Sequence, residues 1–512
     1  MYRKFSVGFR NSRYLWFCEE GKLNTDYLER LRQGEQLSGF LTWRYGDETC
    51  SVPGVILLEE SGQAVIRLIL HSESRIKLGF DSGTFAVANG EEIKPILIPD
   101  VCSFESNGGV LTLVQPRRHR GITELVGHPV ELAICPRYVV AKHIEPPHWK
   151  HPIEMRAEID GLDAWICSGA VGRSISLARD SETYPSKDRV TLESFDYRAH
   201  DFSGTASGED FCLRVASLSE PFRGDNGAEI GIRFRSVLEV CSQGEKMTWD
   251  DALKEVRHLR ELLMLLAWKS MHAMNLEGRF GQNQACNNQV WESIGLAAPE
   301  VPPVGGWVDI FNSDFSLSKP SKAQSLRYSY IIPYHEFDQV MMDKWRLTRG
   351  YYSHPIQLFI QTIDNYQMAP EVKALQLGAG IESLGFKVQE KKTSIKSADK
   401  KSAVQLFRRV EEPASKFFPD VFKNWSTDAN NVYQAMKHLN RELPDTGEIA
   451  KINYLSILVI QIWLAYELGA SESSIKRHVE ERLAQAPEYS KVEDPSMLDG
   501  TGNPANKGKT AQ

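Results

Sequence analysis

The chain lacks the sequence signals of secretion and of membrane insertion. Its N-terminus mixes arginines with aromatic residues and has neither an apolar segment nor a small-residue cleavage site, so it is not a signal peptide. The most apolar stretch, Tyr454 to Tyr466, has about 13 residues, fewer than the roughly 18 that span a bilayer. The eight cysteines are dispersed without CxxC pairs, which is typical of reduced structural thiols. Together these absences predict a cytoplasmic protein with no membrane partner.

The chain also lacks the short motifs of several enzyme classes. It has no Walker A loop, dinucleotide-binding glycine pattern, HExxH or GxSxG, which argues against nucleotide hydrolysis, zinc proteolysis and esterase chemistry. Three histidines, His143, His148 and His151, lie near one another, but two prolines and uneven spacing favour a loop over a zinc site. No metal and no cofactor are therefore predicted. The net charge of -7 is mild for 512 residues and does not indicate a general nucleic-acid binder.

The hydrophobic pattern changes its period near residue 245. Before that point, short apolar or alternating runs such as VPGVILL and AVIRLILH are separated by Gly, Asn, Asp and Pro, which is typical of antiparallel strands. From Thr248 onward, a threonine cap and two acidic residues precede leucines at helical spacing, so a long buried helix is predicted to begin there. The pattern predicts further helices over 354–368, 371–388, 402–418, 428–442, 449–468 and 472–485.

These patterns predict an α+β multidomain protein. Its parts are an antiparallel, β-rich, sandwich-like N-terminal domain over 1–245, a helical and irregular connecting region over 246–350, a helical bundle over 351–486 and a tail over 487–512. The tail has too little apolar content to fold and is predicted to be disordered.

Several stretches, taken in order, resemble the ApeA-like proteins, a bacterial family that joins an N-terminal β domain to a helical HEPN domain. The β region contributes VPGVILLEESGQAVIRLIL and HPIEMRAEIDGLDAWI, and the long helix contributes TWDDALKEVRHLRELLMLLAW. The C-terminal third contributes HPIQLFIQTIDNY, LGAGIESLGFKV and NVYQAMKHLNRELPD. The resemblance covers nearly the whole chain and implies a dimeric, metal-independent endoribonuclease that acts in anti-phage defence.

Metal-free RNA cleavage makes specific demands on side chains. The ribose 2′-OH attacks the neighbouring phosphate, so a group must transfer protons and cations must stabilise the developing charge. A histidine with an arginine or a lysine satisfies both demands. The resemblance implies that these residues lie near one helix end at a dimer interface, as an arginine, a polar residue, three to five more residues and a histidine.

The first candidate for this chemistry is the segment NNVYQAMKHLNRELPD. If this segment is one helix, a single face carries Asn431, Gln434, His438 and Arg441. His438 is then the acid/base, Arg441 and Lys437 are the phosphate-binding cations, and Asn431 or Asn440 is a positioning donor. Lys437 replaces the arginine of the family pattern, and no histidine follows His438 at the expected distance. The alternative is a solvent-exposed helix face.

A second candidate comes from a scan for an arginine followed by a histidine at the family's spacing. It finds Arg137 with His143, which lies in a strand-like run, and Arg349 with His354, at the entrance to the bundle. Chance predicts about two such pairs in this chain. Arg349 and His354 are therefore either contributors to an RNA site or simply the start of a helix.

Two neighbouring features have alternative interpretations. The lysine-rich run Lys387–Lys401, with Lys391 and Lys392, is predicted to be a loop that is either a solvated linker or an RNA-guiding lip. Glu382 is either a partner for a cation in the site or a carboxylate at a helix end in water.

Two main hypotheses follow from the sequence. The first is a latent ribonuclease, controlled by the N-terminal domain, that cleaves tRNA or phage RNA as a homodimer in response to a phage-derived trigger. The second is a catalytically silent module that binds RNA or a partner protein through the same surface. A scaffold with no nucleic-acid role is a weaker third possibility.

Overall fold

The structure is a computed structural model that describes most of the chain apart from its two ends and several segments. The described residues are 27–45, 48–59, 62–70, 78–80, 96–106, 109–119, 130–141, 154–166, 200–223, 230–242, 247–279, 307–312, 329–365, 367–438 and 440–485. The three histidines weighed for zinc (His143, His148, His151) and the tail predicted over 487–512 lie outside these residues.

The alternating runs of the N-terminal region form strands, as their period-two pattern predicts. They are β1 (Leu37–Tyr45), β2 (Glu48–Leu58), β3 (Ala64–Leu70), β4 (Leu78–Phe80), β5 (Ile96–Ile98), β6 (Val101–Ser106), β7 (Gly109–Arg118), β8 (Val130–Val140), β9 (Glu154–Ile159), β10 (His200–Ala206), β11 (Glu209–Arg223), β12 (Ile230–Ser242), β13 (Ala273–Arg279) and β14 (Val308–Asn312). Twelve of them form one sheet in the order β10-β11-β12-β9-β13-β14-β8-β3-β2-β1-β6-β7, whereas β4 and β5 pair separately and in parallel.

One half of this sheet closes on itself. Strand β8 pairs with β3 and also with β7, so that β8, β3, β2, β1, β6 and β7 form a ring without a free edge between them. Inward-facing side chains such as Leu41, Ile66 and Phe104 build a separate core inside the ring. The other half, from β10 to β14, remains open, and its apolar face packs against helices in a second, larger core.

The β-rich region includes the short helix α1 (Leu162–Ile166) and the long helix α2 (Trp249–Ala267). Helix α2 begins where the sequence predicts, because Thr248 accepts a hydrogen bond from the backbone of Asp251 while the Asp251 carboxylate accepts one from the Thr248 backbone. All residues from Leu262 to Ala267 are buried. The predicted start of this helix is therefore confirmed.

The C-terminal region is helical. Its helices are α3 (Gln339–Tyr351), α4 (Ser353–Asp364), α5 (Pro370–Lys392), α6 (Ile395–Ala398), α7 (Ala403–Phe417), α8 (Pro419–Phe422), α9 (Trp425–Lys437), α10 (Thr446–Leu468) and α11 (Glu472–Ala484). An antiparallel β-rich region followed by a helical region confirms the predicted α+β class.

Helix α10 is long and apolar enough to cross a membrane by length and composition. However, 78% of its most apolar window is buried inside the protein, and the core helix of a soluble protein passes the same test. Its one central amide, Gln461, donates to the backbone carbonyls of Leu265 and Leu266 at the end of α2. The helix therefore forms the centre of the bundle.

Three details differ from the sequence predictions. The helix predicted over 428–442 ends at Lys437, because Pro444 disfavours a helical conformation at Leu443 and Asp445 already caps α10. Helix α5 continues to Lys392, so the first lysines of the predicted loop lie on a helix. Strands β13 and β14 come after α2 and still join the sheet, where they pair with β9 and β8. The sequence pattern does not predict them, because these pairing partners are distant in sequence.

Gly385 gives a test of the packing between α5 and α7. A Cβ atom at this position collides with the backbone carbonyl of Leu406, so Gly385→Ala is expected to destabilise the chain by about 1–3 kcal/mol. The thermal unfolding midpoint of the full chain measures this. Gly350 in α3 is the control, since no heavy atom lies within 4 Å of an added Cβ and alanine there is expected to stabilise by about 0.5–1 kcal/mol. An unchanged unfolding midpoint for Gly385→Ala contradicts the close packing of α5 against α7.

Candidate functional site

Helices α3 and α4 meet at a sharp junction that contains the sequence RGYYSH. The chain leaves α3 at Tyr351, passes through Tyr352 and enters α4 at Ser353. Pro355 explains the break, because it has no backbone N–H to continue α3 but is tolerated in the first turn of a new helix. Tyr352 anchors the junction with a buried ring at 5.0 Å from that of Trp463. Arg349 therefore lies in the last turn of α3 and His354 in the first turn of α4.

The histidine faces helix α5. The Nδ1 atom of His354 lies 3.0 Å from the Ser383 hydroxyl, and the imidazole is exposed. This hydrogen bond fixes the orientation of the ring, and the Nε2 atom has no partner among the residues that the structure describes. An exposed imidazole held through one nitrogen is able to transfer protons through the other.

The arginine faces the other way. The Nε and Nη2 atoms of Arg349 bind both oxygens of the Glu261 carboxylate on α2, and both side chains are more than four-fifths buried. Arg349 is two residues, or about 200°, from Leu347 around α3, and Leu347 is 74% exposed. The guanidinium therefore lies on the side of α3 opposite the exposed face.

A second arginine of α3, Arg346, shows how strongly this helix is attached to the β-rich region. It binds Glu255 on α2 and the Ser203 carbonyl on the edge strand β10. Gln339 exchanges two hydrogen bonds with the backbone of Ser203, at 2.8 and 3.1 Å. Side chains of α3 are thus held by the backbone of β10 and by a carboxylate of α2.

Charged side chains continue along α5 from the histidine. Lys387 lies one turn beyond Ser383 and pairs with Glu390 at 2.7 Å, and this hydrogen bond holds the pKa of the Glu390 carboxyl below its ordinary value. Lys391 pairs with Glu467 on α10. Lys392 pairs with Glu412 on α7. Lys391 and Lys392, the two lysines named as candidates to guide RNA, are therefore exposed, but each has a carboxylate partner.

The other candidate cluster lies on the far flank of α5. The Tyr433 hydroxyl donates to Glu382 at 2.9 Å, and this contact together with burial raises the pKa of Tyr433. The Lys437 ammonium lies 4.0 Å from the same carboxylate and 5.2 Å from the centre of the Tyr433 ring. Glu382 is thus the partner of a cation, which is one of its two predicted roles.

The end of α9 at Lys437 separates the residues predicted to share one helical face. Asn431 and Lys437 are on the helix, whereas His438, Asn440 and Arg441 follow it in an exposed turn. The Arg441 amide donates to the His438 carbonyl at 3.1 Å, which closes the turn. The prediction of one helical face carrying Asn431, Gln434, His438 and Arg441 is wrong, because the face ends before His438.

Sequence reasoning missed two partners of the junction, Glu261 and Ser383. Each is far in sequence from the residue it contacts, and no rule of spacing links the two. Of the loose pair Arg137 and His143, the structure describes only the arginine, which pairs with Asp250 at 2.7 Å, and His143 lies outside the described residues. No group of three or more His, Cys, Asp or Glu side chains suited to a metal ion occurs among the described residues.

The fold and the junction define a two-part protein in which an antiparallel β-rich module holds a helical module through α2 and α3. Comparison with protein families identifies the first part: the model for ApeA N-terminal domain 1 matches residues 41–341. This match covers more than half of the chain, which therefore belongs to the ApeA family, a family of anti-phage defence proteins. Curated proteins and solved structures give no significant match. The match ends within the first turn of α3, so the junction lies just beyond it.

Proposed function

We propose that this protein cleaves RNA in the cytoplasm during anti-phage defence, with His354 at the reaction centre. The observation that carries this proposal is the α3–α4 junction, where an exposed imidazole is fixed through Nδ1 and open at Nε2. Membership of the ApeA family supplies the context of defence. The spacing of Arg349 and His354 is the one that resemblance to the HEPN nucleases implies.

The chemistry follows from the side chains around the imidazole. In the proposed reaction the Nε2 atom of His354 accepts the proton of the ribose 2′-OH or donates one to the leaving oxygen. Ser383 holds the ring in position through its 3.0 Å hydrogen bond. Lys387 and Lys391, on successive turns of α5, supply positive charge along the path of the phosphates. The turn with His438 and Arg441 is a second proposed RNA contact, on the opposite flank of α5.

A homodimer is part of the proposal. Helix α3 leaves two large apolar side chains in water, Val340 at 58% and Leu347 at 74% exposure. They are seven residues, or two turns, apart and therefore share one face of the helix. Packing this face against its copy in a second chain buries both residues and brings two junctions together, as an isologous interface does.

The N-terminal region is proposed to control the site in response to a phage-derived signal. The Glu261 carboxylate belongs to the family-matched region and holds Arg349 away from the exposed face of α3. While this pair is intact, the guanidinium is not available beside His354. A signal that shifts α2 relative to α3 then frees the arginine to stabilise the transition state.

The first prediction concerns the imidazole. His354→Ala is expected to lower the cleavage of total cellular RNA in EDTA by about 100-fold or more, because proton transfer is lost. Gel analysis of the RNA with purified full-length protein measures this. His335→Ala, at another exposed histidine of the helical region, is the control and is expected to cleave like the wild type.

Other variants separate the alternatives to this assignment. If His438→Ala or Arg441→Ala abolishes cleavage while His354→Ala does not, the reaction centre is in the turn after α9. If the wild type binds RNA with no cleavage, the protein is a silent binding module. Phage plaque counts on cells that express each variant connect the assay to defence.

The second prediction concerns the dimer. Leu347→Glu places a charge on the exposed face of α3 and is expected to weaken self-association at least about tenfold, since a buried unpaired charge is costly. Light scattering over a range of protein concentrations measures the oligomer. Val372→Glu is the control, because Val372 is 49% exposed on α5. Equal association of the two variants contradicts the α3 interface.

The third prediction concerns control by Glu261. Glu261→Gln keeps the shape of the side chain but removes its charge, so it is expected to release Arg349 and raise RNA cleavage in the absence of phage. Glu255→Gln is the matched control, because it breaks the neighbouring pair with Arg346 and is expected to lower stability without raising cleavage. Slower cleavage by Glu261→Gln than by wild type contradicts this form of control.

A further inference from the structure

Beside the histidine, an exposed aromatic ring and a cation are in contact. The Tyr351 ring is 41% exposed. The Lys387 ammonium lies 5.4 Å from the centre of this ring. Glu390 holds both groups, since it accepts a hydrogen bond from the Tyr351 hydroxyl at 3.1 Å and pairs with Lys387 at 2.7 Å. A flat aromatic surface and a positive charge are therefore fixed at one point of the surface.

This pair lies close to the imidazole. Ser383, which binds His354, is four residues before Lys387 on α5. Four residues are one helical turn, so the lysine follows the serine by about 6 Å along the axis on the same face. Tyr351 is in turn three residues before His354, across the junction. One short piece of polynucleotide is able to contact the imidazole and the ring together.

We infer, on the basis of the proposed ribonuclease function, that Tyr351 stacks the base next to the cleaved phosphate and that Lys387 binds a neighbouring phosphate. Bases of single-stranded RNA are bound in this way, on aromatic side chains with lysine or arginine along the backbone. Every base offers a flat face, so this contact positions the strand without selecting a sequence. Lys391, one turn further, continues the cationic track.

The carboxylate of Glu390 is compatible with this role. It neutralises Lys387 in the free protein, and a phosphate of bound RNA takes its place as the partner of the ammonium. The Lys387 side chain is 36% exposed and that of Glu390 only 15%, so the ammonium is able to turn toward a phosphate in solution while the carboxylate stays in place. The hydrogen bond to the tyrosine hydroxyl remains and keeps the ring in place.

The experiment compares three variants of the full-length protein: Tyr351→Ala, Tyr351→Phe and Lys387→Met. Two substrates are used: a short fluorescent RNA for cleavage, and the same oligonucleotide with 2′-deoxyriboses, which has no 2′-OH to attack, for binding by fluorescence anisotropy. The matched controls are Tyr466→Ala and Lys416→Met. Tyr466 is another exposed tyrosine, at 46% exposure, and the Lys416 ammonium lies 5.5 Å from the centre of its ring. This second pair of a ring and a cation is not in contact with His354.

The expected result is specific to each variant. Tyr351→Ala weakens binding of the 2′-deoxy oligonucleotide about 10-fold to 100-fold, whereas Tyr351→Phe keeps it within about twofold because the ring remains. Lys387→Met reduces the slope of log affinity against log salt by about 0.7, the value for one phosphate contact on a single strand. The two control variants bind like the wild type.

Three results overturn the inference: equal losses for Tyr351→Phe and Tyr351→Ala, a loss for Tyr351→Ala no larger than that of Tyr466→Ala, or an unchanged salt slope for Lys387→Met. A different result would contradict the proposed ribonuclease function. If the wild type binds the 2′-deoxy oligonucleotide with the expected pattern but leaves the RNA intact, the stacking site stands and the ribonuclease does not.

Discussion

The burial of α2 between the sheet and the helical bundle is the constraint on which the rest of the structure depends. One side of this helix packs on strands β9 and β12, and the other contacts α3, α4 and α10. Its last carbonyls accept hydrogen bonds from Gln461 in the bundle, and the His258 carbonyl accepts one at 2.8 Å from the Trp345 indole. Separating the two modules exposes an apolar helix and leaves these groups unpaired, so neither module is expected to behave independently.

The same helix determines the electrostatics of the junction. Carboxylates of α2 neutralise both arginines of α3, and each lysine described on the neighbouring face of α5 has its own acidic partner. The surface near His354 is therefore close to neutral, in agreement with the mild charge of the whole chain. In the proposed function, a polynucleotide binds by exchange of these carboxylate partners for phosphates.

Local patterns allowed a large part of this architecture to be predicted. The period-two runs predict antiparallel strands and the threonine cap predicts the start of α2, because both depend on neighbouring residues. The end of α9 was misplaced because the helical spacing of polar residues extends past Lys437, whereas Pro444 and Asp445 impose the end from the following segment. The contacts of Arg349 with Glu261 and of His354 with Ser383 join residues 88 and 29 positions apart. Only the packing of α2, α3 and α5 brings them together, so no sequence spacing reveals them.

In the proposed function, the junction places the control of the site and its chemistry at neighbouring points of the chain. Arg349 and His354 are five residues apart in the chain, but the first is held by α2 and the second by α5. The helix breaks at Tyr352, between these two attachments, so α3 and α4 are separate helices that are held by different neighbours. A displacement of α2 or β10 acts on α3 through Glu255, Glu261 and Ser203, while α5 keeps the imidazole in place through Ser383. In the proposed function, the position of the arginine relative to the histidine is therefore the quantity that the N-terminal region changes.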